Sequence, residues 1–204
     1  MNSLRTTVIL AILGAASVAS AHEGLRVGVL GSFGFGGETD VKFKKSEGFP
    51  SPGDSDNEPT AGFVLAAEYA FLKYAAAGLE LGVLFAKTDA MDDADQDRGT
   101  IVDVNLVLEG HYPYLAGKGE VYVKMPLGLA IAVPSNDLDD EYETGTGWTV
   151  GLLFGNRYFF WGGLGCEFEL GWQGHGVGGD RKTVGEFEST SHQFQLRLGL
   201  IYGF

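Results

Sequence analysis

Nine ionisable side chains other than histidine share one phase of an alternating pattern: Arg26, Glu68, Glu80, Asp103, Glu109, Lys124, Glu167, Glu169 and Arg197. Each sits in a segment where polar or small residues alternate with apolar ones, and period two marks a strand with two unlike faces. If the polar face lines a confined interior, these charges must find partners, because an unpaired buried charge is costly. The order of the segments puts Arg26 beside Glu68, Glu109 beside Lys124 and Glu167 beside Arg197, giving three opposite-charge pairs. Glu80, Asp103 and Glu169 are then left over. Carboxylates without bases are the material of a narrow proton or cation path.

A second chemistry would be nucleophilic. His192 has Ser189 and Ser191 beside it and Glu169 on the preceding segment, and a base and a nucleophile act only within hydrogen-bond reach of each other. His192, however, falls on the apolar phase, whereas Ser191 and Glu169 fall on the polar one, so adjacency in sequence becomes separation in space. His111 is on the polar phase near a short turn, and His175 lies in "GHGVGGD", a glycine-rich run expected to be a loop. The runs "DAMDDADQD" and "NDLDDEYE" supply Asp89, Asp92, Asp93, Asp95 and Asp97, then Asp137, Asp139, Asp140, Glu141 and Glu143. Carboxylate oxygens are the ligands calcium and magnesium prefer. Neither run matches the twelve-place calcium loop, and the expectation is a solvated acidic rim, with loose divalent bridging to phosphates as its one metal-related use. Zinc-ligand spacing and phosphate-cradling glycine loops are absent from the sequence. No catalytic, cofactor-binding or metal-ligating set is assigned.

The elements that must position these residues begin after "MNSLRTTVILAILGAASVASA". Arg5, an apolar run from Val8 to about Ala16, and Ala19 and Ala21 at the small-residue positions of a cleavage site make residues 1–21 a secretory signal peptide. Cleavage there leaves residues 22–204 as one domain with a formal charge of −14, since Arg5 is the only charge lost from a chain of −13. A polyanion is a poor partner for nucleic acid. Cys166 is the only cysteine and permits no internal disulfide. No apolar run after the signal is long enough to span a bilayer as a helix, so any crossing is made by strands.

Eight alternating segments follow: 24–36, 61–70, 75–86, 100–112, 120–133, 148–154, 159–172 and 192–204. Their oily faces carry rows such as Leu79, Leu81, Val83 and Phe85, or Phe194, Leu196, Leu198 and Leu200; their other faces are largely Gly, Ala, Ser and the charges above. Connections alternate long and short, with "FLKY", "PYLAGKG" and "GNRY" as the short ones. The pattern predicts a closed, all-β, eight-stranded antiparallel up-and-down barrel whose first and last strands pair and whose termini share the short-turn side. Pro126 within the fifth strand requires a local irregularity. Aromatics gather at strand ends, with Tyr69, Tyr112, Phe160, Tyr202 and Phe204 at one edge and Phe33, Phe35, Phe85, Trp148 and Trp172 at the other. That arrangement suits lipid outside and a wet, crowded lumen within; a soluble ligand-binding barrel would carry polar side chains on its outer face. Tyr122 and Trp161 are expected among the groups that fill the lumen.

The terminal "LRLGLIYGF", with the first-strand "VGVLGSFGF", "LGVLFA" and "VYVKMPLGLAIA", resembles the small eight-stranded outer-membrane β-barrel family typified by the transmembrane domain of outer membrane protein A and its single-domain relatives. The resemblance implies a Gram-negative source, insertion by the outer-membrane assembly machinery, periplasmic termini and extracellular long loops. It also implies contact with outer-membrane lipids and lipopolysaccharide, a monomer, and an unknown surface partner. The functional expectation is a structural or surface-interaction role without catalysis. A narrow cation-preferring channel is the alternative, and an outer-leaflet lipid A-modifying enzyme built on His192 is a weaker one.

Overall fold

The computed structural model describes residues 24–43, 53–86, 99–134, 143–181 and 185–204. The expected signal peptide lies outside them, as do the acidic runs apart from Glu143. The described residues form ten strands: β1 (Gly24–Phe35), β2 (Glu38–Phe43), β3 (Gly53–Asp56), β4 (Thr60–Leu72), β5 (Ala75–Ala86), β6 (Gly99–Tyr114), β7 (Gly119–Val133), β8 (Gly145–Trp161), β9 (Leu164–Arg181) and β10 (Gly185–Gly203). β1 and β4 to β10 pair antiparallel with their neighbours in chain order. β1 then closes on β10, in register from Arg26 opposite Gly203 to Phe35 opposite Phe194. The result is the expected eight-stranded closed barrel. Closure removes the open edge whose N–H and C=O groups would have no partner in hydrocarbon.

Phe204 donates its N–H to the Leu25 carbonyl at 2.9 Å, which fixes the two described ends together on the side of the short connections. The β7–β8 pairing is interrupted at Met125 and Pro126, between the pairs Lys124/Leu153 and Leu127/Val150, and resumes in the same register. Proline has no N–H to give the ladder, so this is the irregularity its position demands.

Three differences from the sequence reading follow from where turns fall. The turn expected at "GNRY" is strand, and the reversal comes at Gly162 and Gly163, whose φ values of +49° and +87° suit the left-handed turn that joins twisted strands. The run expected to be a loop from Gln173 is also strand, because β9 continues to Arg181 paired with β10 from Gly185. Third, the first long connection contains the hairpin β2–β3, and β2 pairs with the part of β10 that extends beyond β1, from Thr39/Ser191 to Phe43/Phe187. Gly36 and Gly37 make that step from β1 to β2 with φ of +62° and +93°, and Gly37 lies so close to the His192 carbonyl that a side chain could not fit. The wall is therefore taller along β8, β9 and β10, at 17, 18 and 19 residues, than along β1 and β5, at 12 each.

The outward face is apolar and exposed, with Leu79, Leu81, Val104, Leu106, Leu108, Phe154, Leu198 and Leu200 forming its middle. Tyr69, Tyr112 and Phe160 project at the short-connection end, and Phe33, Phe35, Phe85, Trp148 and Trp172 at the other. An apolar band between two aromatic girdles is the surface of a barrel solvated by lipid. Trp161 departs from its expected place: at 78 % exposure it joins the short-connection girdle and does not fill the lumen, because the displaced turn ends the alternation at Phe159.

Leu198, opposite Gly31 and Phe168 on β10, is an exposed member of the middle band. Leu198→Arg is expected to destabilise the barrel by about 2–4 kcal/mol, while a charge change at Asp93 in the acidic run has little effect. Reversible folding into lipid vesicles measures both, and equal effects would refute the assigned orientation.

Candidate functional site, the charged lumen

Strand alternation sends the polar phase inward, and all nine expected charges arrive there with exposures of 5 % or less. Two more join them. Arg157, which the sequence reading left in a turn, is inward on β8, and Glu120, the second residue of β7, is inward beside the short connections; both are fully buried. The signal for Arg157 was present in the sequence. Alternation runs unbroken through Leu153, Gly155, Arg157 and Phe159, and the Gly162–Gly163 pair is the stronger turn signal.

The ion pairs differ from those expected. Arg26 stands opposite Glu68 in the ladder, yet its guanidinium crosses the lumen to Glu109 at 3.3 Å and Glu120 at 2.8 Å. Glu68 instead meets Arg157 at 2.7 Å and Lys124 at 2.8 Å. Glu109 stands opposite Lys124 but is bonded by Arg157, at 2.8 Å. Glu167 pairs with Arg157 Nε at 2.6 Å, and Arg197, opposite Glu169, pairs with Glu169 at 3.3 Å and Glu80 at 3.1 Å. The cause is geometric. An eight-stranded interior is about as wide as its side chains are long, so a guanidinium reaches the far wall as readily as its neighbour.

Two of the three carboxylates expected to be left over are therefore engaged. Lys124 bonds Glu80 at 3.0 Å and also Glu169, and Arg197 holds the second oxygen of each. Each base shares a carboxylate with the next, so Arg26, Arg157, Lys124 and Arg197 belong to one net. Tyr122 lies inside it. Its hydroxyl contacts Glu167 at 2.5 Å and Glu169 at 2.9 Å, and Arg157 stacks over its ring with Cζ 4.0 Å from the centroid. Gly155 opposite leaves the room the Tyr122 ring occupies.

Toward the long-connection end the net passes into amides. Arg197 donates to Gln173 Oε1 at 2.7 Å, and Gln173 Nε2 donates to Asp103 at 3.0 Å and Thr149 at 3.1 Å. His175 is not in a loop: it is 2 % exposed on β9, with Nε2 3.0 Å from Asp103. On β1, β4 and β10, Ser32 bonds Gln195 at 2.5 Å and Thr60 bonds Gln193 at 3.1 Å. At the opposite end His111 Nδ1 is 3.1 Å from Glu109.

The nucleophilic cluster does not assemble. His192 is exposed on the outward face, 6.5 Å from Trp172 between ring centres, while Glu169 is fully buried in the lumen, held by Lys124 and Arg197.

Solved structures share this architecture. Outer membrane protein OprG from Pseudomonas aeruginosa superposes with a TM-score of 0.60 at 11 % identity over 92 % of this chain and 99 % of that one. The chain has the fold of the small outer-membrane barrels. Outer membrane protein AlkL, solved in lipid bilayers, gives 0.55 at 18 % identity over 93 % of this chain and 94 % of that one. Neisserial surface protein A gives 0.51 at 13 % over 89 % and 97 %. No family model and no curated protein matches the sequence.

Arg157 is shared by Glu68, Glu109 and Glu167. Arg157→Met should lower the unfolding free energy by about 3–5 kcal/mol, because it strands buried carboxylates. Lys42→Met, at an exposed pair with Asp40, should change it by less than about 0.5 kcal/mol. Urea unfolding in lipid vesicles compares the two.

Proposed function

We propose that the protein is an outer-membrane barrel with a structural or surface-interaction role and a lumen closed to solutes. The observation that carries this reading is the net of ion pairs spanning the interior, in which Arg26, Lys124, Arg157 and Arg197 are each 2 % exposed or less. A pore keeps its charges against the wall in contact with water, whereas these reach across to one another. In this reading the described ends face the periplasm, the long connections face outward, and the assembly machinery inserts the chain as a monomer among outer-membrane lipids and lipopolysaccharide. The tall wall of β8 to β10 with the β2–β3 hairpin supplies the surface for a partner beyond the membrane, since a tilted strand needs only about 9–11 residues to cross. No catalysis is assigned, and His192 is on the wrong face for it.

One observation favours the narrow cation-preferring path as a second reading: among the described residues the buried carboxylates outnumber the buried arginines and lysine by seven to four. Of the three acids first assigned to such a path, only Asp103 lacks an arginine or lysine partner among the described residues.

Liposome swelling in small sugars and planar-bilayer recording at several salt concentrations separate the readings. The closed lumen predicts no sugar uptake and no steady conductance. Reproducible sugar uptake at single-barrel doses overturns it. A small cation-preferring conductance that loses its preference when Glu80, Asp103 and Glu169 are replaced together by amides would put the second reading first.

A further inference from the structure

The two aromatic girdles are built differently. Trp161, at the short connections, projects with 78 % of its surface free, whereas Trp148 and Trp172 are 48 % and 37 % exposed because their rings are laid over the wall. Trp148 covers Gly176, its ladder partner on β9, and Trp172 covers Gly174 on its own strand. Both glycines are in the outward phase and both are buried, and a Cβ at Gly174 would stand 3.0 Å from Cζ2 and Cη2 of Trp172. The two covered positions are one outward step apart along β9, about 7 Å. His192, exposed opposite Gly174 on β10, has its ring 6.5 Å from that of Trp172 and widens the strip.

The strip lies between two unlike surfaces. Toward the long connections its border is polar: Thr190 stands opposite Gly176, Thr146 and Glu188 flank Gly178, and all three are exposed. Toward the short connections it runs into the apolar band through Leu152, Leu170 and Phe168. The face of an aromatic ring is negative, so it attracts the slightly positive C–H groups of a sugar ring, while threonine hydroxyls donate to and accept from sugar hydroxyls. The Glu188 carboxylate opposes an anionic group at the same border. Sugar chemistry above and hydrocarbon below, on one continuous face, fit a molecule that carries both.

We infer that the outer face of β8 to β10 holds a glycolipid of the surrounding leaflet, its uncharged sugar on Trp148, Trp172 and His192 and its acyl chains along the apolar band beneath. This rests on the reading that the long connections face outward with a surface-interaction role, and it gives that role a partner and a place.

Nitrogen–proton NMR of the folded barrel in phosphocholine micelles tests it, because the chain has three tryptophans and therefore three indole N–H signals. The titrants are glucosyl diacylglycerol, diacylglycerol without the sugar, and soluble maltose. Glucosyl diacylglycerol is expected to move the Trp148 and Trp172 signals saturably and to leave Trp161 in place. Trp148→Leu, read at Trp172, and Trp172→Leu, read at Trp148, should each raise the half-saturating concentration at least tenfold; both keep an apolar side chain in the girdle, and two variants guard against one failing to fold. No saturable shift, an equal shift with diacylglycerol, an equal movement of Trp161, or half-saturation unchanged in the variants would overturn the inference and leave an ordinary lipid girdle. Maltose binding as tightly as the glycolipid would overturn it in favour of a free glycan. Protease access to the long connections on intact cells tests the outward orientation by itself, so its failure and a failed titration are distinguishable.

Discussion

Eight strands closed on themselves leave their inward side chains neither lipid nor much water, and every charge placed there must be answered by another charge placed there. That constraint organises the molecule. Lys124 is its centre, bonded to Glu68 and Glu80 and to Glu169, three carboxylates on three other strands. Arg157 ties Glu68, Glu109 and Glu167 together from β8. Between them these two bases join β4, β5, β6, β7, β8 and β9 across the lumen, while Arg26 and Arg197 add β1 and β10. Backbone pairing closes the wall from outside and the ion pairs brace it from within. Because each of the six buried glutamates lies within 4.0 Å of two bases, removing any member of the net leaves buried charges without their partners.

The outer surface obeys the opposite demand. Its leucine, valine and phenylalanine rows gain nothing from one another and need only an apolar solvent, so their positions are set by the strand phase alone. This is why the architecture was legible in the sequence. The rows at Leu79–Phe85 and Phe194–Leu200, the alternation of long and short connections, and the aromatic ends each follow from period two and the thickness of a bilayer. The inward phase of Glu68, Glu109, Lys124 and Arg197 was legible for the same reason.

Pairing within the lumen was not legible, because strand order names neighbours in the wall and the lumen is crossed. Arg26 and Glu68 are neighbours by ladder yet bond elsewhere. His175 and the strand around it were hidden by glycines that ordinarily mark loops. Here Gly174 and Gly176 lie beneath the rings of Trp172 and Trp148, an outer covering that a local reading does not reveal. Arg157 and Trp161 exchanged places, one entering the lumen and the other leaving it, because a single turn was set several residues too early. One displaced turn thus altered both the girdle and the net, which shows how strongly a period-two pattern depends on where it ends.

The central claim is that Lys124 is held by glutamates inside a closed lumen. Solid-state NMR of the barrel in lipid bilayers, with nitrogen-labelled lysine side chains and carbon-labelled glutamate carboxyl groups, tests it directly through dipolar couplings. The account predicts one ammonium nitrogen, lost in Lys124→Met, that couples to the carboxyl carbons of Glu68, Glu80 and Glu169 and exchanges slowly with water. A Lys124 ammonium that exchanges freely and couples to no carboxyl carbon would contradict it.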